Sequence, residues 1–280
     1  MFADDLNIYI SEDPSNIESA LTKIQEDLNT INSWSTQHGL KLNYSKCKYI
    51  IFGHDRVLCN LDYTALQPLV LQEVLLNRVD TIKLLGLTLQ NNLSWTKQVN
   101  LICNQVNKIY CLKSVFAYLP CSVKKTIIQT AVFPNFNYGI AAMANINYVQ
   151  NNKLQRAENL CVKYIFNLRI DDRIYDKYKI LHMLKIRDLQ EFRILNVLFS
   201  ILKNKTPEYL NDQFTFFQSS TRQQNKVLVL PTHKTEVYAQ SFTVKAIKLY
   251  NNLPEIVKTT TTAAVFKKRL KDYLLNKNDY

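Results

Sequence analysis

The sequence predicts an α+β fold whose first third mixes short strands with helix and whose remainder is mainly helical. Two periodicities indicate this: short apolar and alternating runs occur between residues 40 and 89, whereas apolar residues recur every three or four positions from Trp95 onward. A length of 280 residues allows one or two compact domains. Hydrophobic residues at 47% and charged residues at 21% are typical of a globular protein.

The first predicted element is a helix near residues 15–38. Its start is indicated by Pro14 and by Ser15-Asn16-Ile17-Glu18, which has the S-x-x-E spacing of a capping box. Its end is indicated by Gly39, which suits a left-handed C-cap. The apolar face of this helix repeats at steps of three and four through Ile17, Leu21, Ile24, Leu28, Ile31 and Trp34.

Short strands are predicted after this helix. Alternating or apolar runs mark three candidates, at 40–43, 49–52 and 69–71. Residues 82–89 are predicted to form two paired strands around Gly86, where the backbone bends or approaches another group closely. Asn91-Asn92 is expected to be a turn.

The remaining sequence is predicted to be mostly helical. One helix is expected from Trp95 to a point before Pro120, and a second is expected after Pro120. The apolar positions of the first are Val99, Ile102, Val106, Ile109, Leu112 and Val115. Further helices are indicated around 154–168, 189–202 and 265–274, the last preceded by threonines 259–262 that suit an N-cap. Residues 227–230, closed by Pro231, are predicted to form an edge strand.

Charge is distributed unevenly along the chain. The formal net charge of +12 divides into −3 over residues 1–60, +4 over residues 61–150 and +11 over residues 151–280. A basic excess with 11% aromatic residues suits a polyanionic partner such as nucleic acid. The alternative is a solvated basic surface with no such partner.

Several classes of protein are excluded by composition. With four glycines the chain contains no G-x-G-x-x-G, no P-loop and no G-x-S-x-G motif. Its six cysteines include no C-x-x-C and lie among four scattered histidines, so neither zinc nor a disulfide scaffold is expected. No apolar run reaches the ~18 residues of a membrane span. We expect an intracellular protein, with nuclear and cytoplasmic locations both open.

The sharpest chemical candidate is Phe2-Ala3-Asp4-Asp5, which precedes the strand-like residues 6–10. Two adjacent carboxylates on a tight turn can face a pair of divalent ions, and Mg²⁺ prefers such hard oxygen ligands. In a two-metal site the ions activate the attacking hydroxyl and stabilise the leaving oxygen of a phosphoryl transfer. The alternative is an ordinary solvated pair of aspartates.

Three segments follow one another in an informative order: Phe2-Ala3-Asp4-Asp5, then Leu42-Asn43-Tyr44-Ser45-Lys46, then Lys83-Leu84-Leu85-Gly86 continuing to Trp95. This order resembles the reverse transcriptases of Jockey-like non-LTR (LINE-type) retrotransposons. Their palm runs from [FY]-A-D-D through a helix to L-N-x-x-K-T and then to K-Y-L-G-x-x-L-x-x-x-L-x-W.

The resemblance extends over nearly the whole chain. Later blocks of these elements, P-x-x-x-Y-G, L-Q-x-x-x-N and W-N-x-L-P…F-K-x-x-L, are similar to Pro134-Asn135-Phe136-Asn137-Tyr138-Gly139, to Leu154-Gln155-Arg156-Ala157-Glu158-Asn159, and to Tyr250-Asn251-Asn252-Leu253-Pro254 with Phe266-Lys267-Lys268. The implied fold is a truncated right-hand polymerase palm (hairpin, helix and short sheet) over residues 1–95, a helical thumb over 96–145 and a basic helical C-terminal region over 146–280.

The resemblance also implies roles for individual residues. Asp4 would bind Mg²⁺ with Asp5 beside it, Lys46 would assist pyrophosphate departure, and Leu85 with Gly86 would form the primer grip. The lysines expected to face the phosphates of an RNA template and DNA primer are Lys97, Lys108, Lys113, Lys124 and Lys125. Each lysine has the alternative of being merely exposed, and Leu85-Gly86 of being an ordinary bulge.

Departures from the family pattern limit the expected activity. Cys47, Leu84 and Tyr250 replace the usual threonine, aromatic residue and tryptophan. The family's fingers and the strand with the third metal-binding aspartate lie N-terminal to F-A-D-D. We therefore expect the isolated chain to be inactive as an RNA-directed DNA polymerase. The alternatives are a non-enzymatic RNA- or DNA-binding module and a functionless fragment of a decayed element.

Overall fold

The computed structural model describes residues 5–110, 118–217 and 227–277. The architecture is α+β, dominated by helices and containing a few short sheets. The chain divides into two compact units, Met1–Lys97 and Gln98–Tyr280. The boundary falls within one helix, and the two units are described separately.

The first unit contains the three two-stranded sheets of the described residues. Its helices are α1 (Ile17–Gln37), which follows a 3₁₀ turn at Pro14–Asn16, and α2 (Asp55–Cys59). Its strands are β1 (Lys48–Tyr49), β2 (Val70–Leu71), β3 (Val74–Leu75), β4 (Asn77–Arg78), β5 (Thr81–Leu84) and β6 (Leu87–Gln90). Strands β1 and β4 pair in parallel, whereas β2 with β3 and β5 with β6 pair antiparallel.

Helix α1 confirms the helix predicted near residues 15–38. Its C-terminus is a Schellman motif, in which Gly39 has a φ of 67° and the Leu40 amide donates to Ser35 O over 2.8 Å. The expected capping box is wrong: the N-cap is Asn16, and its side chain makes no capping hydrogen bond. The preceding 3₁₀ turn shifts the helix start by about one residue and so breaks the S-x-x-E spacing.

Gln25 attaches α1 to the β2–β3 hairpin. Its side-chain Nε2 donates to Val70 O, and its Oε1 accepts from the Val70 amide, each over 2.8 Å. A side-chain amide thus takes the place of a neighbouring strand and satisfies both backbone groups of Val70. Along the same helix Leu21 is buried, but Trp34 is 51% exposed and stacks on His38.

The strand predictions are confirmed in part. Residues 82–89 form the predicted hairpin, with register from Thr81↔Gln90 to Leu84↔Leu87, and the expected turn follows at Asn91-Asn92. The candidate at 69–71 corresponds to β2. The strand predicted at 40–43 is wrong, because these residues are not in a strand. Of the run at 49–52 only Tyr49 belongs to a strand, since the pairing of β1 with β4 ends at that residue.

Most of the second unit is helical. Its helices are α3 (Thr96–Tyr110), which begins two residues before the unit boundary, α4 (Cys121–Ile127), α5 (Phe133–Asn137), α6 (Tyr148–Ile165), α7 (Tyr175–Leu181), α8 (Ile186–Asn204), α9 (Glu208–Asn211), α10 (Glu236–Ala239), α11 (Phe242–Asn251), α12 (Glu255–Lys258) and α13 (Ala263–Asn276). A π-helical turn at Ile128–Val132 joins α4 to α5.

The helix predictions for this unit are largely confirmed. Helices α3, α4, α6, α8 and α13 occupy the predicted regions, and Val99, Ile102 and Val106 of α3 are buried as expected. Leu112 and Val115 lie outside the described residues. The predicted threonine cap is formed by Thr262, whose hydroxyl accepts from the Val265 amide. Helices α7 and α9 to α12 were not predicted.

The predicted edge strand at 227–230 is wrong as a regular strand. Leu228 forms an isolated antiparallel bridge with Phe216, flanked by two hydrogen bonds: from Phe217 N to Val227 O at 2.8 Å and from Val229 N to Thr215 O at 2.9 Å. Asn251 of α11 further holds Leu228, accepting from its amide and donating to its carbonyl oxygen, both over 2.9 Å.

The main hydrophobic core of the second unit lies between α8, α11 and α13. Fully buried side chains from each helix meet there: Ile194, Leu195, Leu198, Ala246, Ile247, Phe266, Leu270 and Leu274. The rings of Phe199 and Phe266 stack with centroids 4.2 Å apart. Across the described ranges, no helix is both long and apolar enough to span a membrane.

Candidate nucleic-acid interface

The predicted metal site is only partly within the described residues. Asp4 lies outside them, and Asp5 is exposed. In the part of the chain that the structure describes, no group of three or more His, Cys, Asp or Glu side chains is arranged to hold a metal ion. The Asp4–Asp5 site therefore remains a prediction from the resemblance.

Lys46 ends a 3₁₀ turn, Tyr44–Lys46, and is exposed. The Lys46 amide donates to Asn43 O over 3.0 Å, and the Tyr44 hydroxyl reaches Asn32 Oδ1 of α1 at 3.4 Å. Partial burial raises the pKa of the adjacent Cys47 thiol. The turn therefore holds the Lys46 backbone beside α1, and its ammonium faces solvent.

Leu85 and Gly86 form the two-residue turn of the β5–β6 hairpin. Both have positive φ, 46° and 83°, as a type I′ turn requires. Leucine is costly at such a position, because its Cβ crowds the backbone in the left-handed region. Leu85 is also 45% exposed, so burial of its side chain does not account for its presence at the turn.

Lys97 is attached to the same hairpin. Its ammonium donates to the Thr81 hydroxyl of β5, and its backbone amide donates to Gln90 Oε1 of β6 over 2.7 Å. The side chain is exposed. An ammonium has three N–H donors, so the bond to Thr81 leaves capacity for a phosphate.

The other predicted lysines have different surroundings. Lys108 is exposed on α3, Lys125 is half-buried on α4, and Lys113 lies outside the described residues. Lys124 has no exposed surface: its ammonium donates to Asn167 Oδ1 and lies 5.4 Å from the centre of the Tyr164 ring. In this position Lys124 joins α4 to the end of α6 and does not reach a surface phosphate.

Two basic residues of α6 extend the surface that begins with Lys108. The Lys153 ammonium donates to Asn100 Oδ1 of α3 over 2.5 Å, and Lys153 and Arg156 are both exposed. Asn100, Asn104 and Lys108 recur every four residues and therefore share one side of α3. We call the surface formed by Asn100, Asn104, Lys108, Lys153 and Arg156 the α3–α6 face.

This face lies within a stretch of sequence that lacks carboxylate side chains. Between Asp80 and Glu158 there is no aspartate or glutamate, but there are eight basic residues: Lys83, Lys97, Lys108, Lys113, Lys124, Lys125, Lys153 and Arg156. A carboxylate near a phosphate is repulsive, and the repulsion extends over a Debye length of about 10 Å. The long interval without acids is thus the sequence signal that could have identified Lys153 and Arg156 as candidate phosphate-binding residues.

Glu158, the acid that ends this stretch, is buried in a polar network. Its Oε2 accepts from the Tyr178 hydroxyl and from Gln155 Nε2, each over 3.0 Å, and Gln155 Oε1 accepts from the Ile186 amide at the start of α8. Burial raises the pKa of Glu158 to about 8, against the opposing effect of the hydrogen bonds. At neutral pH the carboxyl is therefore protonated, and the first exposed carboxylate after Asp80 is that of Asp171.

The same network explains the Leu154–Asn159 block of the sequence. Gln155 and Glu158 join α6 to α7 and to the first turn of α8, and Asn159 Oδ1 lies 2.8 Å from the Tyr178 hydroxyl. Leu154 is buried, one turn before Glu158 on the same helix. In this structure the block has a packing role, and Arg156 is its exposed member.

Comparisons of the chain with protein-family models, with curated proteins and with solved structures gave no significant match.

Proposed function

We propose that the chain is the C-terminal part of a non-LTR retrotransposon reverse transcriptase and that the 280-residue polypeptide binds nucleic acid. The assignment to this family is supported by the order of the sequence blocks. Nucleic-acid binding is supported chiefly by one observation: the α3–α6 face is basic and lies in a stretch without any exposed carboxylate from Thr81 to Ile170.

Lysine and arginine side chains release condensed counterions when they contact phosphates, and this release dominates the affinity of sequence-independent binding. Lys108, Lys153 and Arg156 are exposed, and the amide side chains of Asn100 and Asn104 provide neutral donors between them. A surface without acids adds no repulsive term to this interaction.

We also propose that the turn of the β5–β6 hairpin acts as a primer grip. The positive φ of the exposed Leu85 supports a role as primer grip, because strained residues in ordered structures concentrate at functional positions. Lys83 and Lys97 lie on or beside the same hairpin and supply its positive charge.

The binding proposal is tested by salt dependence. Binding of a fluorescent 20-nucleotide RNA is measured by anisotropy at several NaCl concentrations, and we expect log K to fall linearly with log salt concentration. The double variant Lys153→Gln/Arg156→Gln should reduce that slope by about 2, at about one per lost phosphate contact. The matched control, Lys203→Gln/Lys248→Gln, removes two exposed lysines outside the α3–α6 face and should leave the slope unchanged. Undetectable or salt-insensitive binding by the wild type contradicts the proposal.

We further propose that the polypeptide does not polymerise DNA on its own. Two-metal catalysis requires carboxylates that converge on both ions, and among the described residues Asp5 is not part of any group of three or more potential metal ligands. The measurement is primer extension on an RNA template with Mg²⁺ and deoxynucleotides, with the Asp4→Ala/Asp5→Ala variant as control. Product formed by the wild type and not by this variant would contradict the proposal.

A further inference from the structure

Tyr148 is an exposed aromatic ring at the start of a helix whose outer face is basic. It is the first residue of α6, and 80% of its surface is accessible to solvent. Asn152 and Arg156 follow at intervals of four residues, so the three side chains lie along one stripe of the helix. The stripe begins with a ring and ends with a guanidinium group.

The backbone at Tyr148 is held in place by a complete capping box. Asn147 Oδ1 accepts from the Gln150 amide over 2.8 Å, and Gln150 Oε1 accepts from the Asn147 amide over 3.1 Å. A tyrosine side chain has two rotatable angles and therefore loses little conformational entropy when a ligand covers it. The capped helix therefore holds the ring in place, and binding of a ligand to it costs little conformational entropy.

Two of the three cations of the α3–α6 face, Lys153 and Arg156, lie on the same helix as Tyr148. Eight residues separate Tyr148 from Arg156, which corresponds to about 12 Å along the helix axis. Lys153 lies between them in sequence, and its ammonium is held beside α3 by Asn100. A base on Tyr148 and phosphates at Lys153 and Arg156 can therefore belong to one short stretch of a single strand.

We infer that this part of α6 is a binding site for single-stranded nucleic acid, in which an unpaired base stacks on Tyr148 and neighbouring phosphates contact Lys153 and Arg156. The inference rests on the proposed function, because it specifies the form of nucleic acid that the α3–α6 face binds. Bases of a duplex are already stacked on one another, whereas the bases of a single strand are available to an aromatic ring.

The test compares the full chain and its variants on three labelled probes of one mixed sequence: a 20-nucleotide RNA, a DNA strand of the same length and the corresponding DNA duplex. Tyr148→Leu should weaken binding of both single strands about tenfold, within the range that loss of one base–aromatic stack produces. It should leave duplex binding unchanged. Tyr148→Phe retains an aromatic face and should bind like the wild type.

The control variant is Tyr209→Leu. Tyr209 is 70% exposed, but it lies on α9 between Glu208 and Asp212, so a strand is not attracted to its ring. Equal losses for single strands and duplex, or no loss for Tyr148→Leu, would overturn the stacking site while the salt-dependent binding of the wild type still stood. Wild-type protein that binds none of the probes would overturn the proposed function and this inference with it.

Discussion

Replacing Glu158 with glutamine should remove a large pH dependence from the stability of the second unit. Glu158 is 1% exposed, and its described hydrogen-bond partners are the uncharged Tyr178 and Gln155. Asp188 is the other carboxyl that affects it, and it disfavours ionisation of Glu158 further. The Glu158→Gln substitution keeps the shape and a carbonyl acceptor but cannot ionise.

The magnitude follows from the pKa of Glu158, which burial raises from its ordinary value of 4.5 to about 8. Because the folded-state pKa is the higher one, the folded state retains a proton that the unfolded state loses between these values, and stability falls as pH rises. At about 1.4 kcal/mol per pH unit, this difference lowers the free energy of unfolding by about 5 kcal/mol in total, about 4 kcal/mol of it between pH 4.5 and pH 8. The loss levels off just above pH 8.

The assay is guanidinium unfolding followed by circular dichroism between pH 5 and pH 9. We expect the free energy of unfolding of the wild type to decline steeply up to pH 8 and that of Glu158→Gln to stay nearly level, so the variant is the more stable protein at pH 8 by about 4 kcal/mol. Asp171→Asn, which neutralises an exposed carboxyl, serves as control and should retain the wild-type profile. Parallel pH profiles for the wild type and Glu158→Gln would show that folding does not raise the pKa of Glu158.

Three further substitutions test local features of the fold, each by the free energy of unfolding. Leu85→Asn should stabilise the hairpin by about 1 kcal/mol, because asparagine tolerates the positive φ that strains leucine; no gain would contradict the turn geometry. Gln25→Ala should lower the free energy of unfolding by about 1–3 kcal/mol and speed hydrogen exchange at the Val70 amide, since it removes the hydrogen bonds of Gln25 to the Val70 amide and carbonyl. Unchanged exchange would show that these two bonds do not attach α1 to the hairpin. Thr262→Ala should cost about 1 kcal/mol through loss of the α13 cap, whereas Thr262→Ser should restore it.

Elements governed by local signals were predictable from the sequence. Gly39 supplies the positive φ that a Schellman motif needs, and apolar spacing marks the buried side of α3 and a partly buried side of α1. The β5–β6 hairpin follows from two short apolar runs around Gly86. In each case the information lies within a few residues, so no knowledge of distant parts of the chain is required.

Features that depend on distant residues were not predictable in this way. The Gln25–Val70 bonds join residues 45 apart, and the Lys153–Asn100 bond joins residues 53 apart. Lys124 carries the same sequence signal as an exposed lysine, and only the packing of α4 against α6 gives its ammonium a partner in Asn167. Periodicity assigns a side chain to a face of a helix but does not identify what that face meets.

The absence of acids locates the candidate interface better than the excess of bases does. The net charge of each segment favours an interface in residues 151–280, which carry +11, over one in residues 61–150, which carry only +4. Yet from Asp171 onward exposed carboxylates lie among the bases and offset their field locally, because screening confines each charge to about 10 Å. Between Asp80 and Asp171 the sole acid is Glu158, and its burial keeps it protonated at neutral pH. The smaller excess is therefore the one that no exposed carboxylate offsets, and on α6 it is carried by the exposed Lys153 and Arg156 and by the half-buried Lys163.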